Sequence, residues 1–244
     1  MFDHVGLRVS DMSSSESFYR TVLGALGLEP GSNGEYVWWD EFIIGATDAE
    51  HPVATEHLHI GFAAWSREQV DGFHAAGVAA GYTSDGEPGE RPGYMPGYYG
   101  AFLLDPDGNS IEAVHHDDVR RGGVIDHMWI GVRDLEQAAA FYKLIARHTG
   151  LREGASWDGA QQLRGPWSTF ALVADGRPPT SGLHFAFKAP DRQTVEDFHA
   201  AAVAAGYTDN GGPGVRPRYS AGYFAAFVLD PDGNNVESVF HDRG

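Results

Sequence analysis

The chain has 244 residues, enough for one large domain or two of ordinary size, and its 42% apolar content with 14 Phe, 10 Tyr and 6 Trp excludes a disordered chain. It has no cysteine, which excludes disulfides, zinc–thiolate sites, iron–sulfur clusters and cysteine nucleophiles, so any metal must be held by His and carboxylates. The formal net charge of −17 repels phosphate, the one short basic run is Arg120–Arg121, and no stretch has the length of a membrane-spanning helix, so neither nucleic acid nor membrane is an expected partner.

In chain order, Met1-Phe2-Asp3-His4 leads straight into a strand pattern with no basic-then-apolar signal segment, and a cytoplasmic location is the expectation. Val5, Leu7 and Val9 alternate with His4, Gly6 and Arg8 at strand period. Asp11 or Ser13 can cap the helix that follows, where Ser13 and Glu16 have capping-box spacing, Phe18, Val22 and Leu26 recur at helical spacing, and Gly27 ends the run. Short aromatic strands are predicted over Tyr36–Asp40 and Phe42–Ile44. The grammar then restarts: Leu58, Ile60 and Phe62 alternate with His59 and Gly61, and Ser66 and Gln69 cap a helix through Val70, Phe73 and Gly77. Strands at Tyr98–Leu104 and Ser110–Val114 flank the tight turn Asp105-Pro106-Asp107-Gly108.

Residues 57–116 align without a gap on 182–241, more than half of the positions being identical. The first fifty residues of each copy match more weakly, pairing Asp3-His4 with Asp126-His127, Asp11 with Asp134 and Phe18-Tyr19 with Phe141-Tyr142. This is a domain duplication, with a first domain over 1–116, a linker over 117–123 that ends in Gly122-Gly123, and a second domain over 124–244. Each copy runs strand, helix, three strands, twice, which makes an α+β fold with a curved sheet and helices on one face.

Side chains alternate across a strand. With Val5, Leu7 and Val9 under the helix, His4 lies on the opposite face; His59 opposes Leu58 and Ile60, and Glu112 opposes Ile111 and Ala113. The second copy repeats the set as His127, His184 and Glu237. Two His and a carboxylate on one concave surface suit a divalent metal with open coordination positions, zinc, nickel, iron(II) or manganese, up to two per chain. For any single His, a packed or solvated imidazole is the plainer reading; recurrence of the whole set in both copies favours ligands. His57 shares the face of His59 but is replaced by Gly182; His74 and His199 read as helix-surface or packing residues, and His116 and His241 as exposed strand-end residues.

The opening His4-Val5-Gly6-Leu7-Arg8-Val9-Ser10-Asp11 with Phe18-Tyr19 and Leu23-Gly24, then Leu58-His59-Ile60 and the run Asp105 to Glu112, resembles the vicinal-oxygen-chelate superfamily of glyoxalases, bleomycin-resistance proteins and dioxygenases, twice over nearly the whole chain. The resemblance implies paired β-α-β-β-β modules and places metal ligands at His4, His59, Glu112, His127, His184 and Glu237. The first-strand His can serve its own domain or the other one, and the pattern leaves this open. Glyoxalase I uses a further Glu on the last strand of the first module; Phe42-Ile43-Ile44 and Phe170-Ala171-Leu172 carry no carboxylate. Extradiol dioxygenases carry a Tyr where Phe102 and Phe227 stand, and a His that is missing between Arg91 and Asp105 and between Arg216 and Asp230.

The expected function is a metal-dependent glyoxalase-like enzyme, of lyase, isomerase or transferase chemistry, on a small substrate chelating through adjacent oxygens. The alternatives are a metal-independent binding protein of the bleomycin-resistance type and an extradiol-dioxygenase-like oxygenase. Candidate substrate-binding residues are Trp39, Arg91, Tyr94, Tyr99, Trp167, Arg216, Tyr219 and Tyr223, with Trp38, Tyr98 and Phe224 as further aromatics that can line an apolar pocket. Arg91 and Arg216 either clamp an anionic substrate or order a Gly/Pro-rich loop. The fusion makes a monomer with an internal pseudo-dimer, or a homodimer, the expected assembly.

Overall fold

The structure, a computed structural model, describes residues 2–117 and 122–242. The Arg120–Arg121 pair and most of the 117–123 linker lie outside the described residues. Four modules follow one another, each a strand, a helix and three strands. The first is β1 (Phe2–Val9), α1 (Met12–Ala25), β2 (Gly31–Ser32), β3 (Tyr36–Trp39) and β4 (Phe42–Ala46). The second is β5 (Leu58–Ala63), α2 (Arg67–Ala79), β6 (Ser84–Glu90), β7 (Tyr99–Leu104) and β8 (Ser110–His115). The third is β9 (Ile125–Gly131), α3 (Leu135–Thr149), β10 (Arg152–Trp157), β11 (Ala160–Arg164) and β12 (Thr169–Val173), and the fourth β13 (Leu183–Lys188), α4 (Arg192–Ala204), β14 (Asp209–Val215), β15 (Tyr223–Leu229) and β16 (Asn235–His241).

The expected α+β class holds, as two mixed eight-stranded sheets. One has the order β14-β15-β16-β13-β1-β4-β3-β2, the other β10-β11-β12-β9-β5-β8-β7-β6. β13 runs parallel to β16 in the first sheet, and β5 parallel to β8 in the second. By contacts the chain divides into two compact units, Gly6–Trp129 and Met1–Val5 with Ile130–Gly244, and the division falls within β1 and β9.

Local chemistry explains the elements. Asp11 caps α1 by accepting the Ser14 N–H at 2.8 Å, so the Ser13–Glu16 pair lies inside the helix and is not the cap. Past the end of α1, Gly27 takes the left-handed conformation (φ 80°) that a terminating residue needs and that a side chain would strain. Ser66 caps α2 as expected, its hydroxyl accepting the Gln69 N–H, while the Gln69 side chain reaches one residue further back than in a capping box and accepts the Trp65 N–H. Asp134 and Asp191 cap α3 and α4 in the same way as Asp11.

In the Gly6–Trp129 unit the helix-facing residues Val5's neighbours Leu7 and Val9, with Phe18, Tyr19, Val22, Phe42, Ile44, Ile60 and Phe62, are all essentially buried. Each such side chain contributes about 1.5–3 kcal/mol on burial. Tyr19, buried in this core, donates its hydroxyl to Asp105 Oδ2 at 2.7 Å, while Asp105 Oδ1 accepts the N–H groups of Asp107 and Asn109. The Asp-Pro-Asp-Gly turn is thereby bolted to α1. In the other unit Tyr142 and Asp230 repeat the bond at 2.7 Å. Among the described residues no helix is long and apolar enough to cross a membrane.

Candidate metal centres

Two three-residue clusters form, and each lies wholly within one compact unit: His59, Glu112 and His127 in one, His4, His184 and Glu237 in the other. The first-strand His therefore joins the pair from the other sequence copy, which answers what the sequence left open. The reason is strand order: β9 stands beside β5, and β1 beside β13. On β5, β8 and β7, register pairs Gly61 with Glu112 and Glu112 with Phe102, so these side chains share a face with His59, opposite Ile60 and Ile111.

In the first cluster His59 Nε2 lies 3.2 Å from Glu112 Oε2 and 3.0 Å from His127 Nε2, and His127 Nε2 lies 3.1 Å from Glu112 Oε2. In the second, the corresponding distances are 3.1 Å (His184–Glu237), 3.0 Å (His4–His184) and 3.5 Å (His4–Glu237). Two donors bound side by side to one ion at about 2.1 Å stand about 3 Å apart, so both clusters have the spacing of a shared metal. The far nitrogens set the tautomers. His127 Nδ1 donates to Asp126 and His4 Nδ1 to Asp3, at 3.0 and 3.1 Å. Ser110 gives its proton to Asp85 at 2.7 Å and so accepts from His59 Nδ1 at 3.2 Å. In each of these three imidazoles the Nε2 lone pair is left facing the cluster. Asn235 meets His184 Nδ1 at 2.9 Å; an amide can present either end, and ligation through Nε2 selects its oxygen.

Space for the first cluster is cut by glycine. A Cβ on Gly61 would collide with the His127 ring, and one on Gly100 with Glu112 Oε1. The donor set, its spacing, its tautomers and this cradle all fit a divalent ion of the zinc, nickel, iron(II) or manganese kind.

Without a metal the acidic surroundings favour a proton on His127, which an arriving ion displaces. Burial pushes His127 down, but bonds to Asp126 and Glu112 outweigh it and raise its pKa to about 9. Burial dominates at His59 and lowers it. Burial opposes ionisation of Glu112 and Asp126, yet their imidazole partners hold both below the ordinary carboxylate value. Burial, then the charge of Glu112, pushes the Tyr98 hydroxyl far above its ordinary value, so it stays a donor, bonding Glu112 Oε1 at 2.7 Å. Tyr223 does the same for Glu237 at 2.7 Å.

The remaining candidates separate. Arg91 and Arg216 bond the backbone carbonyls of Glu87 on β6 and Gly212 on β14 and lie over the rings of Phe102 and Phe227, 5.5 Å from each centroid; those rings in turn sit 5.9 Å from His59 and 6.2 Å from His184. Tyr94 and Tyr219 pack on Tyr98 and Tyr223. Trp167 is exposed in the turn after β11. Two assignments are corrected. Trp39 is a core residue, 1% exposed between Tyr19 and Phe42, because its strand partner Phe42 faces the helix; Trp38 takes the other face. Tyr99 points outward, donating to Asp71 on α2 at 2.7 Å, and its neighbour Tyr98 faces the cluster. The 125-residue offset, which pairs Tyr98 with Tyr223, carried that signal. His116 is corrected as well: it is buried and bonds Asp126 at 2.9 Å, while His241 bonds Asp3. His57 precedes β5 with a left-handed backbone (φ 60°) and is exposed, so strand alternation does not reach it. Sequence reasoning missed Asp3, Asp126 and Trp129, whose ring lies 5.2 Å from that of His59 and 5.9 Å from that of His127.

Comparison with known proteins matches residues 1–113 and 124–238 to the Glyoxalase/Bleomycin resistance protein/Dioxygenase superfamily. A protein of Vibrio cholerae described as a probable lactoylglutathione lyase is 29% identical over 130 residues, 49% of this chain and 93% of that protein. Glyoxalase I from Zea mays shares the fold at a TM-score of 0.69 and 20% identity, over 98% of this chain and 92% of that one. A putative dioxygenase from Bacillus subtilis aligns at a TM-score of 0.68 and 13% identity, over 100% and 86%.

Proposed function

The chain belongs to the glyoxalase/bleomycin resistance protein/dioxygenase superfamily, and from that premise we propose that it is a divalent-metal-dependent enzyme acting on a small molecule that chelates through two adjacent oxygens. The observation that carries this reading is the convergence of two imidazole nitrogens and one carboxylate oxygen within hydrogen-bond distance of one another, twice, with the far nitrogen of His127, His4 and His59 held as a donor. A divalent ion held there supplies Lewis acidity to the substrate oxygens. Among the described residues each cluster has three donors, which leaves positions for a bidentate substrate.

The chain's own groups do the rest. Glu112 and Glu237 act as ligands, each kept in orientation by a tyrosine hydroxyl. Asp126 and Asp3 hold the first-strand imidazoles in place. Arg91 and Arg216, laid across the phenylalanines beside the clusters, are positioned to meet an anionic part of the substrate. The description of the Vibrio relative favours lyase chemistry. Every donor comes from one chain, so a monomer suffices.

Elemental analysis of protein purified without added metal or chelator tests the reading. Two equivalents of one divalent metal per chain are expected, with His59→Ala and His184→Ala each removing one. No metal, and none taken up on dialysis, overturns it and makes a metal-independent binding protein the better account.

A further inference from the structure

The two clusters share donors but not surroundings. In the Gly6–Trp129 unit, Trp129 stands two residues beyond His127 on β9, against both imidazoles and against Tyr94. The repeat puts Gly6 at the matching place after His4, so that position carries no ring. Behind His59 stands Ser110, backed by the Asp85 carboxylate; behind His184 stands Asn235, backed by the neutral Asn210. A carboxylate behind a ligand imidazole raises its basicity and its hold on a metal; an amide does so less. Gly61 and Gly100, which make room for His127 and Glu112, are Ala186 and Ala225 in the other copy, where the His4–Glu237 separation is 3.5 Å against 3.1 Å for His127–Glu112. The side chains of His4 and His184 are 14% and 26% exposed, against 5% and 17% for His127 and His59.

We propose that the two centres are unequal: the His59–Glu112–His127 centre holds its metal tightly behind Trp129 and admits only small ligands, and the His4–His184–Glu237 centre holds it more loosely and takes larger vicinal-oxygen ligands. Trp129 is thus a specificity-determining residue, and Asp85 a positioning residue acting through Ser110 and His59. The inference rests on the metal-binding reading given above.

Cobalt(II) is the probe, read by its visible bands and by quenching of tryptophan fluorescence. Protein loaded with two equivalents is mixed with excess EDTA. Release in two equal phases is expected, their rates differing about tenfold or more, with the slow phase missing in His59→Ala and the fast phase missing in His184→Ala. Asp85→Asn, at an exposed carboxylate, should speed the slow phase alone. In ligand titrations, acetohydroxamate should perturb both cobalt ions and 2-naphthohydroxamate one, with Trp129→Gly raising the second figure to two. Single-phase release, or 2-naphthohydroxamate taken up at both centres of the unaltered protein, overturns the inequality and leaves the metal reading standing. Failure to bind cobalt at all overturns the metal reading itself.

Discussion

The second and fourth modules, β5 to β8 and β13 to β16, have kept most of their sequence in common, whereas the first and third, β1 to β4 and β9 to β12, have diverged. The conserved pair supplies two donors of each cluster, the tyrosine on the carboxylate, and the arginine laid over phenylalanine. The diverged pair retains the capping Asp11/Asp134, Phe18-Tyr19/Phe141-Tyr142 and Asp-His in its first strand, and the His of that dipeptide completes the donor set. What differs between the centres near the first-strand His, Trp129 against Gly6, also comes from the diverged pair. The donor types are thus the same in both clusters, while the residues around them differ.

The largest effect should come from removing a donor. Glu112→Ala should abolish metal binding at one centre, by more than about 100-fold in affinity, and leave the other equivalent in place; loss of both would break the independence of the centres. Next, Gly61→Ala places a Cβ against the His127 ring, and should destabilise the protein by about 1–3 kcal/mol and weaken that centre. Ala186→Gly at the matching place should leave the metal content of the other centre unchanged. Denaturant unfolding with metal analysis checks both.

Proton competition gives a third comparison. The His127 pKa, raised to about 9, lies above the ordinary 6.5, so in protein stripped of metal its contribution to stability is full below pH 6.5 and is lost as pH rises through 9. A metal must displace that proton, so affinity at this centre should rise about tenfold per pH unit between 7 and 9, measured in His184→Ala protein by competition with a chelator. Tyr98→Phe removes a buried hydrogen bond to a carboxylate and should cost about 1.5–3 kcal/mol, with Tyr223→Phe costing a similar amount. The smallest effect is at the surface: Asp11→Ala should cost about 1 kcal/mol through the lost helix cap, with no change at either centre.

Much of this was legible. Alternation at period 2 put Val5, Leu7 and Val9 in the core and His4, His59 and Glu112 on the opposite face, because one face of each strand must be dry. Alternation alone does not choose within the adjacent aromatic pairs Trp38-Trp39 and Tyr98-Tyr99; the register with a neighbouring strand puts Trp39 in the core and Tyr98 against Glu112. Strands β6 and β14 were not predicted, since Ser-Asp-Gly-Glu-Pro-Gly-Glu and Asp-Asn-Gly-Gly-Pro-Gly-Val have no apolar alternation. They lie at sheet edges, where Pro and Gly are tolerated, and pair irregularly with β7 and β15. The burial of His116 is not legible locally, because nothing nearby in sequence announces Asp126, ten residues on and across a linker.

The duplication, the four modules, the donor types and the face each donor occupies follow from local periodicity and from the repeat. That His4 meets His184 and Glu237 while His127 meets His59 and Glu112 comes from strand pairing in the folded chain. Strand alternation is a property of a single strand, but which strands become neighbours depends on pairings between residues far apart in the chain, and no local pattern encodes them.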